Sequence, residues 1–330
     1  KDVAEQEVYN GGYKIYATVD LAIQEEMEKV YLNKQKYFKL MGEDLKGNKV
    51  NVQSAMTIMD YEGHIVGVVG GVGEKTVNRG LNRATDSPRQ PGSTMKPAIA
   101  LASLEEEVIT TESAEYCGGY FTLEDQTFKC LSTHGYLNVT TALQKSCNIF
   151  FFEMGQKLGI DKMNKYCGLL GLGQKTGVEL PEAEGVLASI ANKEAAGQVW
   201  NPGDTVQAAI GQSDNLFTPL QLANYCATIA NGGTRMKPYM IKSVLSADMS
   251  EIIFETEPEV VNTLNVSKKN LDIVKQGMRE VVLYSGCNYY FQDCIVDAAG
   301  KTGTSQVKKQ TDAGVTVTCN NGFFISFAPY

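Results

Sequence analysis

A serine three residues before a lysine, Ser93-Thr94-Met95-Lys96, stands where a glycine- and proline-rich loop gives way to a helical pattern. At that spacing the hydroxyl and the amine share one helical face. Serine is a weak nucleophile at its own pKa and needs a base. A lysine that is buried, or that sits beside another cation, gives up its proton easily enough to serve as that base. The start of a helix adds partial positive charge, which favours a developing anion nearby. The pair spells acyl transfer through a serine ester. The same letters also describe a serine that caps a helix and a lysine whose ammonium reaches water. Alone, they do not choose.

Two further clusters tip the balance. Ser146-Cys147-Asn148 interrupts two helical patterns, and Lys301-Thr302-Gly303-Thr304 lies in a strand-like stretch near the end of the chain. A cationic, hydroxyl-rich strand edge suits a substrate carboxylate, and a glycine there lets a ligand backbone approach closely. Each cluster has an imitator. Ser213-Asp214-Asn215 and Lys175-Thr176-Gly177 spell similar patterns. Lys175 follows a glycine-rich turn and reads as a loop residue, and Ser213 lies on the approach to a later helix. Ser93, Lys96, Ser146, Asn148 and Lys301 are therefore the candidate catalytic residues, and Thr302, Gly303 and Thr304 the candidate substrate-binding residues.

Other chemistries fit poorly. Gly300-Lys301-Thr302 resembles the end of a phosphate-binding loop, but Ile295 stands where that loop needs its first glycine. The two histidines, His64 and His134, lie in no nucleophile motif, and there is no G-x-S-x-G elbow. Eight cysteines include no C-x-x-C pair. Cys117, Cys130 and His134 nevertheless fall close in sequence, and three readings stand side by side. They are ligands of a structural zinc, or a disulfide between the two cysteines worth roughly 3 kcal/mol, or small buried thiols. Net charge is −8 with no Lys/Arg-rich block, which argues against a nucleic-acid partner. No apolar run approaches the roughly 18 residues of a membrane span, and neither terminus resembles a signal peptide.

The elements that must position these residues follow from patterning. Residues 1–11 are polar and read as a disordered lead-in, with one domain over 12–330. Tyr13–Val19 reads as a strand, and Asp20 as the cap of a helix from Leu21 to about Lys34. Residues 35–51 read as a loop, and Ala55–Met59 with Ile65–Val69 as a hairpin. Helices are predicted over Ser93 to about Glu107, Val139–Lys145, Ile149–Leu158, Pro219–Ala230 and Ser267–Val282. Strands return over Ala299–Val307 and Gly322–Ala328. Strands first and last with helices between predict an α+β fold, with an antiparallel sheet against a mostly helical half.

Taken together and in order, S-x-x-K, S-x-N and K-T-G resemble the signature of penicillin-binding proteins and serine β-lactamases. From about Tyr13 to Tyr330 the chain resembles a penicillin-binding protein transpeptidase domain. Further blocks include His134-Gly135-Tyr136-Leu137-Asn138-Val139, Ile210-Gly211-Gln212 and Phe327-Ala328-Pro329-Tyr330. The His134 and Ile210 blocks resemble monofunctional class B enzymes of cell elongation, whereas Arg89-Gln90-Pro91-Gly92-Ser93 is closer to bifunctional class A enzymes. Class B is the favoured reading.

The resemblance implies a five-stranded antiparallel sheet flanked by helices. It also implies a C-terminal strand and helix beyond Tyr330 and an upstream membrane anchor, both missing here. It implies that Ser93 attacks the penultimate D-alanine carbonyl of a peptidoglycan stem peptide while Lys96 takes the proton. Ser146 with Lys301 would relay a proton to the leaving D-alanine, Asn148 would hold the substrate amide and Lys96, and Thr302 and Thr304 would bind the terminal carboxylate. β-Lactam antibiotics would acylate the same serine. No cofactor is implied. The expected partner is a polytopic membrane glycan polymerase, reached through regions outside this chain, on the extracytoplasmic face of a bacterial membrane. A serine β-lactamase and a β-lactam sensor are the alternatives. The first needs a deacylating glutamate motif that is not found here, and the second is usually shorter.

Overall fold

Helix Lys96–Glu105 is the axis of the molecule. Every residue from Lys96 to Leu104 is buried, so the helix is covered on all sides rather than along one stripe, as expected of a core helix. Ala98, Ala100 and Ala102 make this feasible, because small side chains let helices Asn148–Leu158, Ile160–Leu169 and Lys268–Tyr284 pack close around it. A computed structural model describes residues 2–38, 41–43, 49–75, 80–310 and 316–330. The architecture is mixed α and β with antiparallel sheets. Among the described residues, no helix is long and apolar enough to cross a membrane.

The strands pair locally. One three-stranded sheet joins Lys14–Ala17, Ile241–Leu245 and Ile252–Glu255, and the other described strands form two-stranded ladders. All of these ladders among the described residues are antiparallel. Hairpins Met56–Met59/Ile65–Val69 and Ala299–Gln310/Thr316–Phe327 both pack on helix Pro219–Ala230, and among the described residues no ladder joins them. Side-chain packing on a shared helix brings strands to one surface, whereas a continuous sheet also needs edge-to-edge backbone pairing.

Two expectations are corrected. The polar lead-in is a helix over Asp2–Asn10. Its alanine, glutamates and glutamine are good helix formers, and Gly12, at φ 64°, ends the run. The stretch 35–51, read as a loop, carries a helical turn at Lys34–Tyr37 and a hairpin of Met41–Glu43 with Lys49–Asn51. Residues 39, 40 and 44–48 of that stretch lie outside the described residues. The other predicted helices fall within a few residues of their bounds, the last strand, Thr316–Phe327, begins well before its predicted start at Gly322, and helices Ile160–Leu169, Ile190–Ala195 and Pro202–Ala209 had no predicted bounds.

Candidate active site

Ser93 sits in a 3₁₀ turn, Gly92–Met95, that runs directly into helix Lys96–Glu105. The α-helix proper begins at Lys96, so Ser93 stands just before it and is not a side-chain cap. The turn is held from three sides. Gly92 N–H donates to Gly211 O at 2.9 Å. Ser305 Oγ donates to Gln90 O at 2.9 Å. The buried Tyr225 hydroxyl donates to Thr94 O at 3.2 Å and accepts from Ala98 N–H at 3.0 Å. Ala98 N–H is one of the first-turn donors with no partner inside its own helix, so the tyrosine satisfies it and fixes the pitch of the turn.

Glycine is required where these segments touch. Gly92 has φ 55°, and a side chain there would meet the Thr304 backbone, with its carbonyl oxygen at 2.5 Å. Gly211, at φ 75°, would clash with Gly92 O at 2.0 Å. Gly303 was read as making room for a ligand, but what approaches it is the protein's own Ser93 turn. A Cβ on Gly303 would lie 2.4 Å from Pro91 O and 2.8 Å from a Thr94 methyl. The glycine of K-T-G thus lets the strand lie flush against the Ser93 turn.

Lys96 and Lys301 are both fully buried and both reach Ser146. Lys96 Nζ lies 2.7 Å from Ser146 O, 2.8 Å from Asn148 Oδ1 and 3.3 Å from Ser146 Oγ. Lys301 Nζ lies 2.9 Å from Ser146 Oγ. Burial pushes the Lys96 amine down to about 7, with the Cys147 and Cys130 sulfurs opposing the shift. Burial, with Lys96 as second cause, pushes Lys301 well below the usual lysine range. A neutral Lys96 donates to Ser146 O and Asn148 Oδ1 and keeps a lone pair for a hydroxyl proton.

Ser146 reaches this position because it adopts φ 52° between helices Val139–Gln144 and Asn148–Leu158. Its N–H donates to Leu143 O at 3.1 Å, and Cys147 N–H to Ala142 O at 3.0 Å, closing the first helix. Along strand Ala299–Gln310, Lys301, Gly303 and Ser305 are buried while Thr302 and Thr304 are exposed. That is the period-two alternation of a strand, and it puts both threonines on one open face.

The imitators are occupied elsewhere. Thr176 and Gly177 donate their amides to Glu182 at 2.9 and 2.8 Å, closing a loop. Ser213 Oγ donates to Asp204 at 3.2 Å. Asn215 is buried and tied to the backbone of Ala188, Ala208 and Gln212.

Beside Ser146 lies a group that the sequence only partly gathered. Cys117 Sγ and Cys130 Sγ lie 3.4 and 3.6 Å from His134 Nδ1, and Cys130 Sγ lies 3.8 Å from Cys147 Sγ. Their four potential ligand atoms lie within 4.8 Å of one another. Cys117 and Cys130 are free thiols. Cys147 was not among the candidate ligands named from the sequence. It is fully buried in the core and is the fourth member of this cluster. The Cys147 thiol donating to it, with help from backbone amides, pulls Cys130 down to about 4. Donation to Cys130 and burial push Cys147 up.

With this geometry in hand, residues 54–330 match the penicillin-binding protein transpeptidase domain. The peptidoglycan D,D-transpeptidase MrdA of Acinetobacter baumannii is 33% identical over 264 residues, which are 75% of this chain and 38% of that protein. PBP2 of Pseudomonas aeruginosa, solved in complex with WCK 5153, superposes with a TM-score of 0.76 at 25% identity, covering 96% of this chain and 71% of that one. A chain of a peptidoglycan synthase complex that coordinates polymerization and crosslinking superposes at 0.71, also at 25% identity, covering 89% of this chain and 53% of that one. The chain spans about half or less of the length of the first curated relatives it matches.

Proposed function

The chain belongs to the penicillin-binding protein transpeptidase family, and from that premise we propose that it is the D,D-transpeptidase domain of a class B enzyme. It cross-links peptidoglycan stem peptides through an acyl-enzyme on Ser93. The observation that carries this reading is the convergence of two buried lysines, from distant parts of the sequence, on the hydroxyl of Ser146. Lys96, with its depressed pKa, takes the proton of Ser93 as the hydroxyl attacks the penultimate D-alanine carbonyl. The backbone N–H groups of Ser93 and Thr304 receive the oxyanion, a contribution of roughly 3 kcal/mol per donor. The Gly92–Thr304 contact keeps them adjacent. Ser146, between Lys301 and Lys96, passes a proton to the leaving D-alanine. Asn148 orients Lys96 and the substrate amide, and Thr302 and Thr304 take the terminal carboxylate. The amine of a second stem then resolves the ester. β-Lactams acylate the same serine. No step draws on a cofactor.

By extension from the relatives, the enzyme works at the extracytoplasmic face of a bacterial membrane, beside a glycan-polymerising membrane partner. The test is turnover of a D-Ala-D-Ala thioester with a D-amino acid acceptor. Ser93→Ala should abolish both this turnover and labelling by fluorescent penicillin. Rapid hydrolysis of the penicillin adduct without aminolysis would point to a β-lactamase instead.

A second reading concerns the thiol cluster. Ligands at the corners of a zinc tetrahedron lie about 3.8 Å apart for two sulfurs and about 3.5 Å for a sulfur and a nitrogen. The separations of 3.8, 3.4 and 3.6 Å fit that figure. Cys117, Cys130, His134 and Cys147 would hold a structural zinc, which would tie the loop bearing Cys130 to the Ser146 motif. Metal analysis should find about one zinc per chain, and Cys117→Ser should lower both the zinc content and the melting temperature. A wild type without zinc after metal-replete expression would remove this reading.

A further inference from the structure

Cys130 and Cys147 flank Asn148 in space. Their sulfurs are 3.8 Å apart, and Cys147 is the residue between Ser146 and Asn148. Asn148 N–H donates to Cys130 Sγ at 3.2 Å, and Asn148 Nδ2 reaches Lys129 O at 3.5 Å. The loop that presents Cys130 therefore holds both ends of the asparagine whose Oδ1 accepts from Lys96. We propose that Cys130 and Cys147 form a thiol–disulfide exchange site whose substrate is a low-molecular-weight disulfide, and that the bond between them switches off acylation at Ser93. The exchange chemistry stands on these thiols alone; the switch rests on the function proposed above.

The chemistry balances. Cys130 is half-buried, whereas Cys147 is fully buried, so Cys130 is the first to meet the oxidant. The Cys130 sulfur attacks one sulfur of the oxidant R–S–S–R, forming a mixed disulfide and expelling one RSH, which carries away the Cys130 proton. The Cys147 sulfur then attacks the Cys130 sulfur, forming the protein disulfide and expelling the second RSH with the Cys147 proton. Two protein thiols are oxidised and one small disulfide is reduced to two thiols. A disulfide bond is about 2.05 Å long, so the sulfurs must close most of their present gap. Cys147 is anchored as the cap of helix Asn148–Leu158, where its sulfur accepts Phe150 N–H at 3.5 Å. Cys130 is the partner that moves, and it takes Lys129 with it. Asn148 then loses its backbone acceptor and its side-chain anchor, and with them its alignment on Lys96. A metal on these sulfurs and a disulfide between them exclude each other, so metal removal exposes the site.

The experiment treats the whole chain with 1,10-phenanthroline, removes the chelator anaerobically and adds oxidised glutathione. Non-reducing peptide mass mapping should show Cys130 joined to Cys147 with the loss of two hydrogens, and prior zinc should suppress the product. Fluorescent-penicillin labelling should slow at least tenfold and recover with dithiothreitol. Cys294→Ser, which removes an exposed thiol, should respond like wild type. Cys130→Ser should form no such cross-link, and its labelling, whatever its starting rate, should be the same with and without oxidant. Glutathione adducts alone, or a Cys117–Cys130 link, would overturn the exchange site. A Cys130–Cys147 link with unchanged labelling would overturn the switch. A protein that never takes penicillin would overturn the proposed function and the switch with it, while the peptide map still decides the exchange site.

Discussion

Ser146-Cys147-Asn148 and Ser213-Asp214-Asn215 present the same serine and asparagine at the same spacing, yet only the first meets the two buried lysines. The difference lies in what each serine is asked to do. Ser146 is forced to φ 52° by the end of one helix and the start of the next, and it offers its hydroxyl to Lys301 and Lys96. Ser213 has a similar φ of 56°, but its hydroxyl is spent on Asp204. Lys301 and Lys175 divide in the same way. Lys301 is inward on a strand that lies against the Ser93 turn, whereas Lys175 precedes a loop closed by Glu182. A motif becomes a site when its polar groups are left for one another rather than used to close a local turn.

The largest effects expected from breaking this contrast fall on the lysines. Lys96→Ala should slow penicillin acylation by roughly a hundred- to ten-thousandfold, the usual weight of a general base, and Lys301→Ala should fall in the same range. In stopped-flow acylation a loss under tenfold for Lys96→Ala would remove it as the base. The wild-type pH profile sharpens the same point. The proposed base Lys96 would work with its proton off, and burial lowers its pKa to about 7, so acylation should rise as pH increases through about 7 and level off above it. A profile flat from pH 6 to 9, with chemistry rate-limiting, would contradict a lysine base of depressed pKa. The smallest effect concerns the support of the Ser93 turn. Tyr225→Phe leaves Ala98 N–H and Thr94 O without their partner in a buried site, which should cost about 1–3 kcal/mol. Chemical denaturation should read this as a lower midpoint, with acylation reduced only a few-fold.

Much of the candidate site could be drawn from the sequence because its motifs are local. Ser93 and Lys96 are one turn apart, and Ser146 and Asn148 share one helix junction. The motif order was enough to choose Lys301. What was missed depends on distant packing. Tyr225 meets Thr94 and Ala98 across more than a hundred residues, with no local pattern to announce it. Cys147 was left out of the ligand group because it already stood inside another motif, between Ser146 and Asn148. Its partners Cys117, Cys130 and His134 come from hairpins that fold over it, and the repeated cysteine near a lone histidine was the available signal. The role of Gly303 was misread for the same reason. A glycine in a strand announces a close approach, but only the fold shows that Pro91 and Thr94 make it. The lead-in helix shows the converse error, in which polar composition concealed good local helix propensity.

The most direct measurement of the central claim sets the two serines side by side. Second-order rate constants for acylation by a β-lactam would be determined for Ser146→Ala and Ser213→Ala under identical conditions, with melting curves to confirm that both are folded. Ser146→Ala should be slower than wild type by a hundredfold or more, and Ser213→Ala should stay within a few-fold of it. A folded Ser146→Ala that acylates normally, or a Ser213→Ala that loses acylation, would contradict the convergence of both lysines on Ser146 as the working arrangement around Ser93.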